Sequence, residues 1–332
     1  MLEAIYLLAS ARSFRADREK EMIYWGASFA RLEAAITRNS SKHRIIAKLE
    51  EASRGITKRY EVDTNPAKTR QLPATMPASL FSADDIRLVA GAPGRRRKAT
   101  DLVIGQVFPA YREALSRYSR ALASRNRLLE QINTGEAGHD QLDVWDEQVG
   151  ASGSEIIAAR QRYVKELNNK LGATYQDLTA TSPANASAKI EPLKIAYEPA
   201  TTDLATELVR RRTTDLSVGT TTTGPHRDDW SLVLNGRRLA SFGSSGEFRS
   251  AMLALRLTEA GWIEHHLGIR PLMLLDDVFS ELDEYRRDAL LEHLGDSQVV
   301  ITTPEAEILP TPFKERATLI ELGGAIDVQA AR

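Results

Sequence analysis

The residues best suited to chemistry lie in the segment "PLMLLDDVFSELD", residues 271–283. Four apolar residues, 272–275, form a run typical of a buried strand in a parallel sheet, and the run ends at Asp276 and Asp277. Carboxylates at the carboxyl end of such a strand lie where α/β sheets bind their ligands. Two adjacent like charges need a cation or a polar network to stay ionised. The segment therefore predicts a site for a hard cation such as Mg²⁺.

The same segment has the form of a Walker B strand, which serves nucleotide hydrolysis. In this interpretation Asp276 is the metal ligand, and Asp277 is the catalytic group that orients the attacking water. An ordinary acidic turn after a strand would look the same, because short motifs often match by chance. A metal-dependent nuclease is a further alternative, although no other cluster of metal-ligand residues accompanies the two aspartates in the sequence.

A second candidate site lies about thirty residues earlier, in "FGSSGEFR", residues 242–249. A Ser- and Gly-rich turn that opens a helix can bind an anion through its N–H groups. It can also simply cap the helix, through Ser244 or Ser245. The order of this turn, a Walker B strand and the segment Ser280 to Asp283 is that of the ABC-type ATPases, in which the last segment is the D-loop.

Positive charge is concentrated in one part of the chain. The net charge is −1, yet the stretch from Arg87 to Arg127 holds ten basic residues and two acidic ones. The densest run of basic residues in this stretch comprises Arg95, Arg96, Arg97 and Lys98. It predicts contacts with DNA phosphates, which add affinity without recognising the DNA sequence. A run of four solvated charges with no ligand is the alternative.

Composition sets the limits of these hypotheses. The 332 residues, 42% hydrophobic and 27% charged, are enough for a globular chain of more than one domain. The absence of cysteine excludes disulfides, thiolate zinc sites and a cysteine nucleophile. No apolar run reaches membrane-spanning length, and the N-terminus lacks the basic start of a signal peptide. We therefore expect a cytoplasmic protein with no membrane partner.

Periodicity divides the chain into three regions that must position the candidate residues. Residues 1–100 hold an opening amphipathic helix and short strand-like runs, such as 34–37 and 45–47. Residues 101–205 carry two long apolar stripes separated by a Gly-containing turn, which predicts an antiparallel helical arm; Arg125 occupies the one polar position in the first stripe. Residues 206–332 alternate strand and helix and hold the two candidate sites.

Several segments together resemble the RecF family, bacterial DNA repair and replication proteins among the SMC-like ABC ATPases. They are "TTTGPHRDDWSLVLNG", "FGSSGEFRSAMLALRL", "PLMLLDDVFSELDEYRRDALL", "FSADDIRLVAGAPGRRRKATD", "YREALSRYSRALASRNRLL" and "LEAIYLLASARSFR". The resemblance covers nearly the whole chain. It implies an α/β fold, an ABC-type ATPase head of the P-loop NTPase-like class with an inserted α-helical arm.

The resemblance also implies a mechanism with ATP and Mg²⁺ as cofactors. Two protomers would meet head-to-tail around two ATPs, and Asp276 and Asp277 would act within their own subunit. Residues of the signature turn and the D-loop would face the partner's nucleotide; these are Ser244, Ser245, Gly246, Glu247 and Asp283. His226 and Arg227, in the block "GPHRDD", form a possible further site whose role the sequence does not define.

The family function implied is binding of single- and double-stranded DNA at gaps, with ATP-dependent dimerisation and slow ATP hydrolysis. It supports recombinase loading and the SOS response, together with recombination-mediator partners. The family also carries a phosphate-binding loop, G-x-x-G-x-G-K-[ST], just before its first helix. The 332 residues contain no such pattern, and the segment 91–94 is its nearest imitation. We therefore expect a RecF-like chain without the N-terminal strand and P-loop; the alternative is a truncated, non-catalytic DNA-binding or scaffold remnant that cannot bind ATP.

Overall fold

The computed structural model describes residues 1–16, 18–38, 40–53, 55–180 and 192–321. Its α-helices are α1 (Leu2–Ser10), α2 (Leu72–Thr75), α3 (Ile86–Ala90), α4 (Pro93–Val107), α5 (Pro109–Asn133), α6 (Leu142–Thr179), α7 (Leu204–Arg210), α8 (Arg212–Val218), α9 (Leu239–Phe242), α10 (Ser245–Leu267), α11 (Glu284–Leu294) and α12 (Thr311–Lys314). Its strands are β1 (Phe29–Arg38), β2 (Ser41–Ala52), β3 (Gly55–Val62), β4 (Asn65–Ala67), β5 (Ala78–Phe81), β6 (Lys194–Glu198), β7 (Asp229–Leu234), β8 (Arg237–Arg238), β9 (Leu272–Asp276) and β10 (Val299–Thr302).

The apolar run before the two aspartates is the central strand of a parallel sheet. Strand β9 lies between β10 and β5 and runs parallel to both. Met273 and Leu275 belong to the core that includes α10, whereas Leu274 belongs to the core that includes α1. Both faces of β9 are therefore covered, which is why its sequence is continuously apolar rather than alternating.

The N-terminal region contains longer strands than the sequence suggested. The runs at 34–37 and 45–47 are parts of β1 and β2, which have 10 and 12 residues and pair antiparallel from Phe29↔Glu50 to Arg38↔Ser41. Strands β3 and β4 complete a four-stranded antiparallel sheet. Arg31 and Glu33 interrupt the apolar residues in the first half of β1, so the apolar run at 34–37 is shorter than the strand.

The helical arm is confirmed as a hairpin of two long helices. Helix α5 has 25 residues and α6 has 38. Arg125 contacts Asp146, and Arg117, eight residues earlier on α5, contacts Glu155, nine residues later on α6. The two helices therefore run antiparallel. Helix α6 continues beyond the hairpin and packs against α10, which joins the arm to the parallel sheet's core.

The predicted region boundaries do not coincide with gaps between elements. The boundary after residue 100 falls inside α4, and the boundary after residue 205 falls inside α7. Residues 181–191 of the second region and 322–332 of the third lie outside the described residues. Within the described ranges, no helix combines the length and the apolarity needed to cross a membrane.

Candidate functional site

Asp276 is the last residue of β9, and its carboxylate is already paired. The Arg15 guanidinium donates to both carboxylate oxygens, at 2.8 and 2.9 Å. The hydroxyl of Thr302, the residue opposite on β10, donates to the same carboxylate at 2.8 Å. Arg15 lies in the loop after α1, and its side chain is 61% exposed whereas that of Asp276 is 14% exposed. The contact with Arg15 was not predicted, because 261 positions separate the two residues.

Asp277 follows with an unusual backbone. Its φ is 54°, in the left-handed region that non-glycine residues seldom adopt, although Asp tolerates it better than most. The Asp277 N–H donates to the backbone oxygen of Thr302 at 3.1 Å, and the carboxylate accepts the Ser280 hydroxyl at 2.7 Å. These bonds fix the turn that leads away from the sheet. Strained backbone of this kind tends to occur at functional sites.

The carboxylate at the end of β9 suits a cation whose other ligands are waters and phosphate oxygens. Within the described residues, no group of three or more His, Cys, Asp or Glu side chains could hold a metal ion. Mg²⁺ commonly uses one or two protein carboxylates and completes its shell with waters and substrate phosphates. Asp276 therefore fits as a single carboxylate ligand to a phosphate-bound Mg²⁺. Arg15 would have to leave the carboxylate first.

The Ser- and Gly-rich turn forms the N-terminus of α10 with a complete capping box. Ser244 is the N-cap, and its hydroxyl accepts the Glu247 N–H at 3.3 Å. The Glu247 carboxylate in turn accepts the Ser244 N–H at 2.7 Å. Ser244 and Ser245 are exposed, and Gly246 is half-buried. The capping role proposed from sequence is thus confirmed, and the exposed turn at a helix N-terminus remains suited to an anion.

The turn and the D-loop segment lie side by side. Asp283 caps α11 by accepting the Arg286 N–H at 2.9 Å, and its carboxylate also pairs with the Arg286 guanidinium. That guanidinium lies about 4 Å from where a side chain at Gly246 would begin. Arg249 of α10 pairs with Glu281 at 2.6 Å. The fold therefore brings the turn at Ser244 and Gly246 and the distant Asp283 to one surface.

The four consecutive basic residues lie on α4, and they do not share one environment. Arg95 and Lys98 are exposed, and Arg97 is half-buried with a hydrogen bond to the Asp228 backbone oxygen at 2.7 Å. Arg96 is buried and donates two hydrogen bonds of 2.7 Å to Asp229. Arg96 would therefore have to leave Asp229 to reach a DNA phosphate, because the helix turns this residue of the run inward. Contact of the four residues with DNA stays a prediction.

The block that includes His226 and Arg227 is a largely buried polar junction between the arm and the sheet that contains β6 and β7. Asp228, fully buried, accepts hydrogen bonds from Arg160 at 3.0 Å and from the Ala200 N–H at 2.8 Å. Arg160 of α6 also pairs with Asp101 of α4. Arg227 is exposed and donates weakly, at 3.5 Å, to the Thr221 backbone oxygen. The block joins elements, and its partners Arg160 and Asp101 were missed because nothing local marks them.

His226 is held by both ring nitrogens. Nε2 lies 3.1 Å from the Thr221 backbone oxygen, so Nε2 carries the proton, and Nδ1 accepts the Tyr118 hydroxyl at 2.6 Å. Burial lowers the pKa of His226 below its ordinary value, although the bond to Thr221 opposes the shift. This arrangement suits a neutral structural imidazole and leaves no lone pair for a catalytic base.

A pH prediction follows from the lowered pKa of His226. The folded state favours neutral imidazole, so its contribution to stability is complete above the unfolded pKa of about 6.5 and is lost as the pH falls below it. We expect the free energy of unfolding of the wild type to decrease more between about pH 7.5 and pH 5.5 than that of His226→Gln, which does not titrate. Urea denaturation at both pH values measures this; equal decreases would contradict the assignment.

Comparison with known proteins identifies relatives of this chain. No family model matches the chain. The DNA replication and repair protein RecF of Moorella thermoacetica is 34% identical over 326 residues, which cover 97% of this chain and 85% of that protein. The RecF protein of Agathobacter rectalis is 34% identical over 306 residues, 91% of this chain and 81% of that protein. The chain belongs to the RecF family.

Solved structures agree with that assignment. A structure of the recombination mediator protein RecF with ATP, in the RecFOR pathway, matches with a TM-score of 0.82 and 30% identity over 92% of this chain and 83% of that one. A second RecF structure, of RecF-ATPrS, matches with a TM-score of 0.80 and 28% identity over 93% of this chain and 84% of that one. The expected RecF-type ATPase-head fold with a helical arm is confirmed, and this is a RecF-like DNA replication and repair protein.

Proposed function

We propose that this RecF-family chain is an ATP-gated DNA-binding protein that dimerises around nucleotide and hydrolyses it slowly. The proposal rests on two features of one chain: Asp276 and Asp277 lie at the end of a central parallel strand, and the exposed Ser244 turn forms a helix N-terminus. The RecF structure with a TM-score of 0.82 to this chain is a structure of RecF with ATP. DNA gaps, recombinase loading, the SOS response and recombination-mediator partners belong to this proposal, as does a cytoplasmic location.

In this proposal the named side chains divide the work. Asp276 would hold Mg²⁺, which supplies charge neutralisation at the phosphates. Asp277, fixed by Ser280, would orient the attacking water from its own subunit. Ser244, Ser245, Gly246 and Glu247 would approach the nucleotide of a partner copy through the exposed turn. Asp283, beside that turn, would lie at the dimer interface.

A second candidate is a DNA-binding or scaffold protein that does not use ATP. One observation favours it: the cation that pairs with Asp276 is Arg15. An arginine that neutralises this carboxylate removes the charge imbalance that would otherwise attract a metal ion. Both candidates share the DNA-binding surface, so they differ in their response to nucleotide.

Sedimentation with and without MgATP distinguishes the two candidates. If ATP gates the dimer, the wild type should roughly double its mass with MgATP, and Ser244→Arg should remain monomeric because the longer cation blocks the turn. Ser217→Arg, an exposed serine on α8, is the matched control and should dimerise normally. Loss of the N-cap costs about 1 kcal/mol, so urea denaturation should confirm that Ser244→Arg is folded. A wild type that binds DNA but stays monomeric with MgATP would favour the second candidate.

A further inference from the structure

Three aromatic side chains near the start of the antiparallel sheet are displayed to solvent. Trp25 is 95% exposed, Tyr24 is 72% exposed and Phe29 is 62% exposed. Trp230 and Trp262, by contrast, are 6% and 7% exposed. Large aromatic rings contribute strongly to stability when buried, so rings left in water at neighbouring positions point to a binding surface. We call Tyr24, Trp25 and Phe29 the aromatic turn.

The backbone holds the aromatic turn in place. The Ala27 N–H donates to the Tyr24 oxygen at 2.9 Å, which closes a β-turn with Trp25 and Gly26 as its central residues. Gly26 has a φ of 84°, a value that the third position of a type II turn requires and that glycine adopts without strain. Ile23, 6% exposed, anchors one side of the turn, and the start of β1 anchors the other. Trp25 is thus presented at the corner of an anchored turn.

The charges around the aromatic turn are neutralised in pairs. Lys20, just before it, lies 3.0 Å from Glu51 of β2. Lys58 of β3 pairs with Glu19 at 2.5 Å. Since these ammonium groups already have carboxylate partners, the surface offers little net positive charge to a phosphate backbone. A ligand bound here would be recognised through the faces of the rings.

We propose that the aromatic turn is a stacking platform for unpaired bases of single-stranded DNA. The inference rests on the proposed DNA-binding function and assigns it a second contact surface, separate from α4. Each base has a π-face, so aromatic stacking captures single strands without sequence preference. A protein partner is less well matched, because a stable interface needs roughly 800 Å² on each side, and ion pairs adjoin these three rings.

Stacking and phosphate contacts differ in their response to salt, which makes the proposal testable. Phosphate contacts release counterions and set the slope of log affinity against log salt; stacking does not. We expect Trp25→Ala to weaken binding of a labelled oligothymidylate by about tenfold with an unchanged slope. An abasic strand of equal length should bind wild type and Trp25→Ala equally. Trp25→Phe, which keeps a ring, should recover most of the affinity.

Two controls separate this inference from the proposed function. Val209→Ala removes an exposed apolar side chain, 55% exposed on α7, and should not change affinity. The tryptophan fluorescence of the wild type should be quenched by oligothymidylate and not by the abasic strand, and Trp25→Ala should lose this quenching. If Trp25→Ala leaves oligothymidylate binding unchanged while α4 variants weaken it, the stacking proposal is wrong and DNA binding stands. If Trp25→Ala weakens both strands equally, bases are not the ligand. If the wild type binds neither strand, both proposals fail.

Discussion

Replacing Arg125 with alanine should lower the free energy of unfolding by about 3–5 kcal/mol, the usual effect of removing one partner from a buried ion pair. The Arg125 side chain is fully buried on α5. It donates to Asp146 at 2.6 Å, to Asp215 at 2.7 Å and to the Thr221 hydroxyl at 2.7 Å. Alanine would leave two buried carboxylates without this cation, and Asp215 is itself fully buried.

A second arginine on the same two helices provides the matched control. Arg117 of α5 pairs with Glu155 of α6 at 2.7 Å, but these side chains are 48% and 55% exposed. Exposed pairs contribute about 0–1 kcal/mol, so Arg117→Ala should have little effect. Urea denaturation of both variants, followed by circular dichroism, measures the difference. Equal small losses would mean that Arg125 is less strongly coupled to its carboxylates than the geometry indicates.

Arg125 also shows which features of the arm the local sequence predicts and which it does not. The apolar stripe on α5 predicted the helical hairpin, and Arg125 stood out only as a polar position within that stripe. Its partners Asp146 and Asp215 lie 21 and 90 positions away. Periodicity identifies which face of a helix is buried, but it carries no information about which distant charge meets that face. The polar junction around Asp228 was missed for the same reason.

The candidate site likewise has features that local sequence predicts and a contact that it does not. Asp276 and Asp277 could be predicted because a fully buried parallel strand has a continuous apolar sequence that ends where ligands bind. The Ser244 cap was likewise visible in a local pattern, with Glu three residues later. The pairing of Arg15 with Asp276 depends on how α1 lies against the sheet, which no local pattern encodes.

The exposed residues of α4 give the second large expected effect, on DNA affinity. Replacing Arg95 and Lys98 together with alanine removes two exposed cations from one helix. If both contact phosphates, the slope of log affinity against log salt for duplex DNA should become shallower by roughly 1.8, or about 0.9 for each contact. Affinity at low salt should fall by about tenfold or more. Fluorescence anisotropy with a labelled duplex over a salt series measures both quantities.

Two control variants, Arg210→Ala and Arg96→Ala, make the test specific to Arg95 and Lys98. Arg210→Ala removes another exposed arginine, 65% exposed on α7 and paired with Glu207, and should leave the slope unchanged. Arg96→Ala should instead destabilise the fold, because it leaves Asp229 without its buried partner, and any folded fraction should keep the wild-type slope. An unchanged slope in the double variant would remove α4 from the DNA-binding surface. A changed slope in Arg96→Ala would mean that this arginine leaves Asp229 when DNA binds.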